Sequence, residues 1–223
     1  MKIINVLLVY FLIINFSFAN DIDENKNIYQ VQFILVSHAK SSYLDKISDF
    51  ISDPYNNIKK IKIKNNNCII DKSNLCVKYE KDYKLENFNK YIEIIDKDSG
   101  LKVISHKEWV QNMDSIYNIK IKGGYDYSED IFNENLEILD FNILSEGAIN
   151  KFDGHISIRK NKFFKIHLNI LERLKMKQDG FFSSDALVSK EHNIIQNIKL
   201  NKTTYIDRDN FGVIIKVKKI KNI

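Results

Sequence analysis

FDGHISIRKNKFFKIHLNI, residues 152 to 170, is the stretch on which the fold turns, because apolar and polar residues alternate through it twice. Phe152, Gly154, Ile156 and Ile158 make one series, and Phe164, Ile166, Leu168 and Ile170 make another. Successive side chains of a strand point to opposite faces, so a period of two marks a strand with one buried face. Two such strands around a short polar break make a hairpin. A three-residue loop at Lys160, Asn161 and Lys162 keeps even residues opposite even residues and predicts Ile158 across from Phe164 and Ile156 across from Ile166. A two-residue loop would mismatch the faces. The same register sets His155 opposite His167 on the polar face. Two imidazoles could share a metal there, but Arg159 and Lys165 occupy that face and further ligands are missing, so no metal site is expected.

Working outward, the period of two recurs. Strands are predicted near Ile194 to Leu200 and from Phe211 to Val217, the latter with Phe211, Val213, Ile215 and Val217 on one face. Towards the N-terminus, Leu101 to Trp109 and Tyr117 to Lys122 read as strands, and Tyr29 to Val36 as the first. Gly123 and Gly124 are read as a structural turn closing their pair, and Gly212 closes another turn. One helix is predicted after Ser42, with Tyr43, Ile47, Phe50 and Ile51 on a face and Pro54 at its end. A second follows from Leu85, Phe88, Ile92 and Ile95. The fold class is α+β, predominantly antiparallel sheet with a few helices in the N-terminal half. The expected organisation is a signal peptide over 1–19, an N-terminal α+β half over 20–124, an acidic connecting loop, or short helix, over 125–145 and a β-rich half over 146–223. The two halves can form one continuous domain.

The chain opens with Lys2 and an apolar run from Ile3 to Phe16, followed by small residues Ser17 and Ala19 at the positions a signal peptidase requires. Cleavage after Ala19 is expected, with export out of the cytoplasm and no membrane span afterwards, since a spanning helix wants roughly 20 apolar residues. Cys68 and Cys76, the only cysteines, are candidates for a disulfide in an oxidising compartment; two buried thiols are the alternative. A formal net charge of +5 over 223 residues lacks the dense basic stripe of a nucleic-acid binder, so no nucleic-acid partner is expected. That charge does suit loose attraction to anionic envelope polymers.

No nucleophile elbow, phosphate loop or dinucleotide fingerprint occurs, and no catalytic residue is assigned. Acid pairs such as Glu129 and Asp130 read as solubilising charge. Two segments mix residue types more densely: LKVISHKEWVQ (101–111), with IKIKGG (119–124) after it, and TYIDRDNFGVIIKV (204–217). They nominate His106, Trp109, Tyr205, Asp207, Arg208 and Phe211 as binding residues, because sugar faces stack on aromatic rings while their edges seek hydrogen bonds. The competing reading buries Trp109 and Phe211 in the core.

YQVQFILV from Tyr29, ISHKEWVQ from Ile104, IKIKGG from Ile119 and YIDRDNFGVIIK from Tyr205 occur in that order across the chain. With them the sequence resembles the CsiV family, periplasmic peptidoglycan-binding proteins of gammaproteobacteria. It departs from the family pattern at Arg208 and Asp209, where His and Pro are usual, and in a preceding basic run reduced to Lys199 and Lys202. The resemblance implies a non-enzymatic accessory factor without cofactors. Such a factor binds peptidoglycan and supports cell-wall assembly with an outer-membrane lipoprotein activator of a bifunctional penicillin-binding protein. The alternatives are an envelope hydrolase or metal-dependent enzyme, and a structural adaptor that touches only protein.

Overall fold

The computed structural model describes residues 27–38, 59–63, 68–77, 89–97, 100–133, 136–138, 148–177 and 185–220. The expected signal segment and the helix after Ser42 lie outside the described residues. Among those described, the strands are β1 (Ile28–His38), β2 (Cys68–Ile70), β3 (Cys76–Val77), β4 (Leu101–Asn112), β5 (Ile119–Asp126), β6 (Leu136–Ile138), β7 (Asn150–Lys160), β8 (Phe164–Lys177), β9 (Asp185–Ile198), β10 (Thr203–Asp207) and β11 (Phe211–Lys219). Two short helices accompany them, α1 (Asn89–Asp96) and α2 (Ser128–Phe132). The first sheet has the order β10-β11-β1-β4-β2-β3 and the second β5-β7-β8-β9-β6. Pairing is antiparallel except for β2 on β4 and β6 on β9, so the fold is α+β dominated by antiparallel sheet.

β1 is buried on both faces, as its nearly continuous apolar run requires. Val31, Phe33 and Leu35 enter a core shared with Ile156, Ile166 and Leu168 of the second sheet. Ile34 and Val36, on the opposite face, pack with Tyr91, Ile92 and Ile95 of α1. The layers therefore run second sheet, first sheet, helix. The C-terminal part of the apolar stripe predicted for the second helix supplies that third layer.

The hairpin forms with its turn one residue later than predicted. Lys160 pairs with Phe164, Ile158 with Ile166 and Ile156 with Leu168, leaving Asn161, Lys162 and Phe163 as the loop. Parity is kept, so the buried face is as read from the sequence. The imidazoles, however, are not opposed: His155 pairs with Asn169 and His167 with Ser157. The shift has a local cause. Lys160 is held in the ladder, its Nζ donating to Asn27 Oδ1 at 2.7 Å and lying 5.3 Å from the centre of the Tyr29 ring. Phe164 packs edge-on to the same ring at 5.1 Å. Within this hairpin a Cβ at Gly154 would lie 2.0 Å from the Asn169 carbonyl oxygen, so only glycine fits there.

Gly123 and Gly124 do not close a turn between β4 and β5. Those strands belong to different sheets, and both glycines lie inside β5. The pairing of β1 with β4 slips between Leu35/Ser105 and Val36/Val103, which makes Ile104 an extra residue. Such a bulge re-aims its side chain and bends the strand. Here Ile104 presses against β5: a Cβ on Gly123 would lie 2.7 Å from its carbonyl oxygen, and Gly124 adopts φ +86°. The stretch read as a connecting loop or short helix holds the end of β5, α2 and β6.

Cys68 and Cys76 are disulfide-bonded, with Cα atoms 5.3 Å apart, joining β2 to β3 at the edge of the first sheet. The pairings also give the molecule two poles. One gathers His38, Leu101, Asp126, Asn150 and Asp207, and the other Asn112, Ile119, Lys160, Phe164, Ile198 and Lys219.

Candidate functional site

The first pole carries a cleft of about 440 Å³ between the two sheets. Ser37 of β1 and Lys102, Val103 and Ile104 of β4 line one side; Gly124 and Tyr125 of β5 and Lys151 of β7 line the other. The bulge at Ile104 and the glycine pair beneath it thus shape the wall of this cleft. Tyr125 is 55% exposed, yet its ring is fixed in place. It packs on Tyr127 with centroids 4.9 Å apart, and Lys175 Nζ lies 5.7 Å from its centre and 5.6 Å from that of Tyr127. Asp130 of α2 holds Lys175 at 2.8 Å and accepts from the Tyr125 hydroxyl at 3.3 Å. The Lys175 hydrogen bond keeps the Asp130 carboxyl below its ordinary range, and the same bond raises the Lys175 ammonium. Chemically, the cleft offers two ammonium groups, a hydroxyl and a pre-oriented phenol ring.

The sequence-nominated residues scatter. Trp109 and Phe211 are core residues, 1% and 0% exposed, which corrects their nomination as binding residues. Trp109 donates from Nε1 to Gln111 Oε1 at 2.6 Å, so the W-V-Q motif is a buried structural device. Phe211 packs edge-on to Phe152 and to His192, which in turn sits 3.1 Å from the buried Glu172 carboxylate. His106 is half-buried on the helix-bearing face of the first sheet, and burial, with Lys107 adding to it, lowers its imidazole below the usual range. Tyr205, Asp207 and Arg208 do share one place, the exposed β10–β11 turn at the cleft pole.

At that turn the structure adds His38, which the sequence did not single out. Its Nε2 lies 3.2 Å from the Tyr205 hydroxyl and 3.4 Å from Asp207, and its Nδ1 lies 3.2 Å from the Asp209 carbonyl. The Tyr205 hydroxyl donates to Asp207 at 3.0 Å, and burial first, then this bond, pushes the phenol up to about 12. Gly212 lies beneath the ring, where a Cβ would meet the Tyr205 hydroxyl oxygen at 2.4 Å. Ser37 and His38 are chain neighbours on opposite faces of β1, so the cleft and this polar cluster flank one strand end.

Ser37, Lys102, Tyr125 and Lys151 were missed. Lysine is too common in this chain to signal a site, and Tyr125 falls just beyond the glycine pair where the pattern weakens. Among the described residues, no group of three His, Cys, Asp or Glu side chains could hold a metal ion, and no helix is long and apolar enough to cross a membrane.

The two sheets thus enclose, at one end, a cleft lined by lysines and an exposed tyrosine ring. The chain belongs to the CsiV family, whose model is described as a peptidoglycan-binding protein and matches residues 4–220, nearly the whole chain. No curated protein and no solved structure matches it.

Proposed function

We propose that the protein is a non-enzymatic periplasmic accessory factor that binds peptidoglycan through the cleft at the first pole. The observation that carries this reading is the placement of Lys102 and Lys151 beside the fixed, exposed ring of Tyr125. Peptidoglycan offers both matching chemistries, sugar faces that stack on a ring and stem-peptide carboxylates that attract ammonium groups. Glycan hydrolysis would draw on a pair of carboxylates, whereas the cleft lining supplies recognition groups. Export over residues 1–19 would bring the protein to the wall. Its role there is to support wall synthesis together with an outer-membrane lipoprotein activator of a bifunctional penicillin-binding protein, as the family resemblance implies.

The test is cosedimentation with purified sacculi. Wild-type protein should pellet and release no soluble wall fragments. Tyr125→Ala and a Lys102→Ala, Lys151→Ala double variant should each pellet several-fold less with unchanged melting. Pelleting that is indifferent to all three substitutions would move the site elsewhere, and release of fragments would make the protein an enzyme.

A further inference from the structure

The pole opposite the cleft has a surface of its own. The β7–β8 loop presents Phe163, 61% exposed, with Lys162 Nζ lying 5.9 Å from the centre of its ring. Lys165 follows as an exposed residue at the start of β8. The β8–β9 pairing sets Phe164 across from Ile198, so the β9–β10 turn with exposed Lys199 and Lys202 stands beside this loop. That turn is rigidly tied, Asn201 sitting at φ +61° with its N–H donating to the Val217 carbonyl at 2.8 Å. Exposed Lys219 ends β11 at the same pole, and Ile116, 49% exposed, projects from the β4–β5 connection. Among the described residues the turns and strand ends here carry two carboxylates: Asp114, which accepts from Asn27 Nδ2 at 2.8 Å, and Asp71 of the β2–β3 turn, which accepts from Ser73 Oγ at 2.6 Å beside exposed Lys72.

We propose that this lysine-rich pole, with Phe163 at its tip, docks on an anionic lipid bilayer. A purely polyanionic partner would call only for the charge. A protein partner would take an exposed ring into a pocket, but this ring projects from the end of a hairpin with ammonium groups on long stems around it. That geometry suits a membrane interface. The ring can pass below the headgroups while the lysine stems lie along it and keep their charges at the phosphates. Each lysine close to an anionic leaflet contributes about fivefold in affinity, and burying one phenyl ring about tenfold or more. The inference is independent of the cleft reading, since it rests on residues at the other end of every strand.

Flotation of the purified protein with vesicles tests it, using pure phosphatidylcholine and equal parts phosphatidylcholine and phosphatidylglycerol. Wild type should float with the anionic vesicles at low salt, stay behind with the neutral ones, and lose binding as salt screens the charges. Phe163→Ala should weaken flotation about tenfold, and Lys162→Glu with Lys202→Glu should abolish it. These are exposed turn positions, so circular-dichroism melts should match wild type, and Tyr125→Ala should float normally. Absence of flotation with anionic vesicles, or flotation undiminished in the variants, overturns the proposal. Loss of sacculus pelleting in the lysine variants without any vesicle binding overturns it too and assigns the pole to the wall.

Discussion

Glu108 shows how a single side chain can set the pH response of this fold. It is 7% exposed, its Oε1 has no hydrogen-bond partner among the described residues, and burial pushes its carboxyl from 4.5 up to about 7. A folded-state value above the unfolded one means that the native protein holds the proton more tightly. The contribution of this group to stability is therefore fully present below pH 4.5 and is lost as pH rises through about 7. The loss by pH 8 is up to about 3 kcal/mol. Glu108→Gln should thus gain about 1–3 kcal/mol at pH 8 and almost nothing near pH 4, read from urea unfolding at both values. Gly154→Ala should do the opposite at every pH, costing about 3 kcal/mol or more, because the obstructing atom is backbone oxygen and cannot swing away. At this scale the sequence was a partial guide. It named Trp109 and Phe211 but could not separate a ring that stacks on a ligand from one that fills a core, since both uses favour the same residue types. Tyr205, Asp207 and Arg208 stayed on the surface because each lies beside or within a turn, where charge signals exposure more dependably. His38 went unseen because its partners Tyr205 and Asp207 lie more than 160 residues away.

The elements were more legible than the residues within them. Alternation found β1, β4, β7, β8 and β11, because a two-residue period is written directly into the identity of the buried face. It could not find where the hairpin turns, since shifting a three-residue loop by one position preserves parity; the anchoring of Lys160 on Tyr29 and Asn27 decides that. Nor could it find the strands that pair in parallel, β2 and β6, each only three residues long. The disulfide belongs to this scale. Cys68 and Cys76 close a loop with a sequence separation of 8, and β2 lies parallel to β4 with Cys68 opposite Trp109. The bond therefore holds an edge hairpin against the strand that carries the core tryptophan. Chain-entropy reasoning gives such a small loop about 2–3 kcal/mol. Replacing both cysteines with serine should lower stability by that amount and raise amide exchange in β2 and β3 before the second sheet. Equal exchange in reduced and oxidised protein would show that pairing alone secures the hairpin.

For the molecule as a whole, the sequence conveyed the class, α+β with antiparallel sheet dominant, and the family motifs. What it withheld was which strands sit together: β4 and β5 are consecutive yet lie in different sheets, so the I-K-I-K-G-G motif became intelligible only against the bulge at Ile104. The cleft follows from that cross-sheet contact. Gly123→Val should fill the space that Ile104 occupies, misplace Tyr125 and reduce sacculus pelleting well beyond its effect on melting, whereas Arg208→Ala should change neither the melting nor the cleft. Strand order has another consequence. β1 is hydrogen-bonded to β11 on one side and to β4 on the other, so the first described strand has the last as its neighbour in the middle of a sheet. During synthesis, β1 must therefore wait with one edge unmatched until residues 211–219 have emerged. Pairings this distant in sequence form slowly and leave a growing chain open for most of its assembly time. A chain that cannot close prematurely stays threadable, and its last strand serves as the latch that ends that state.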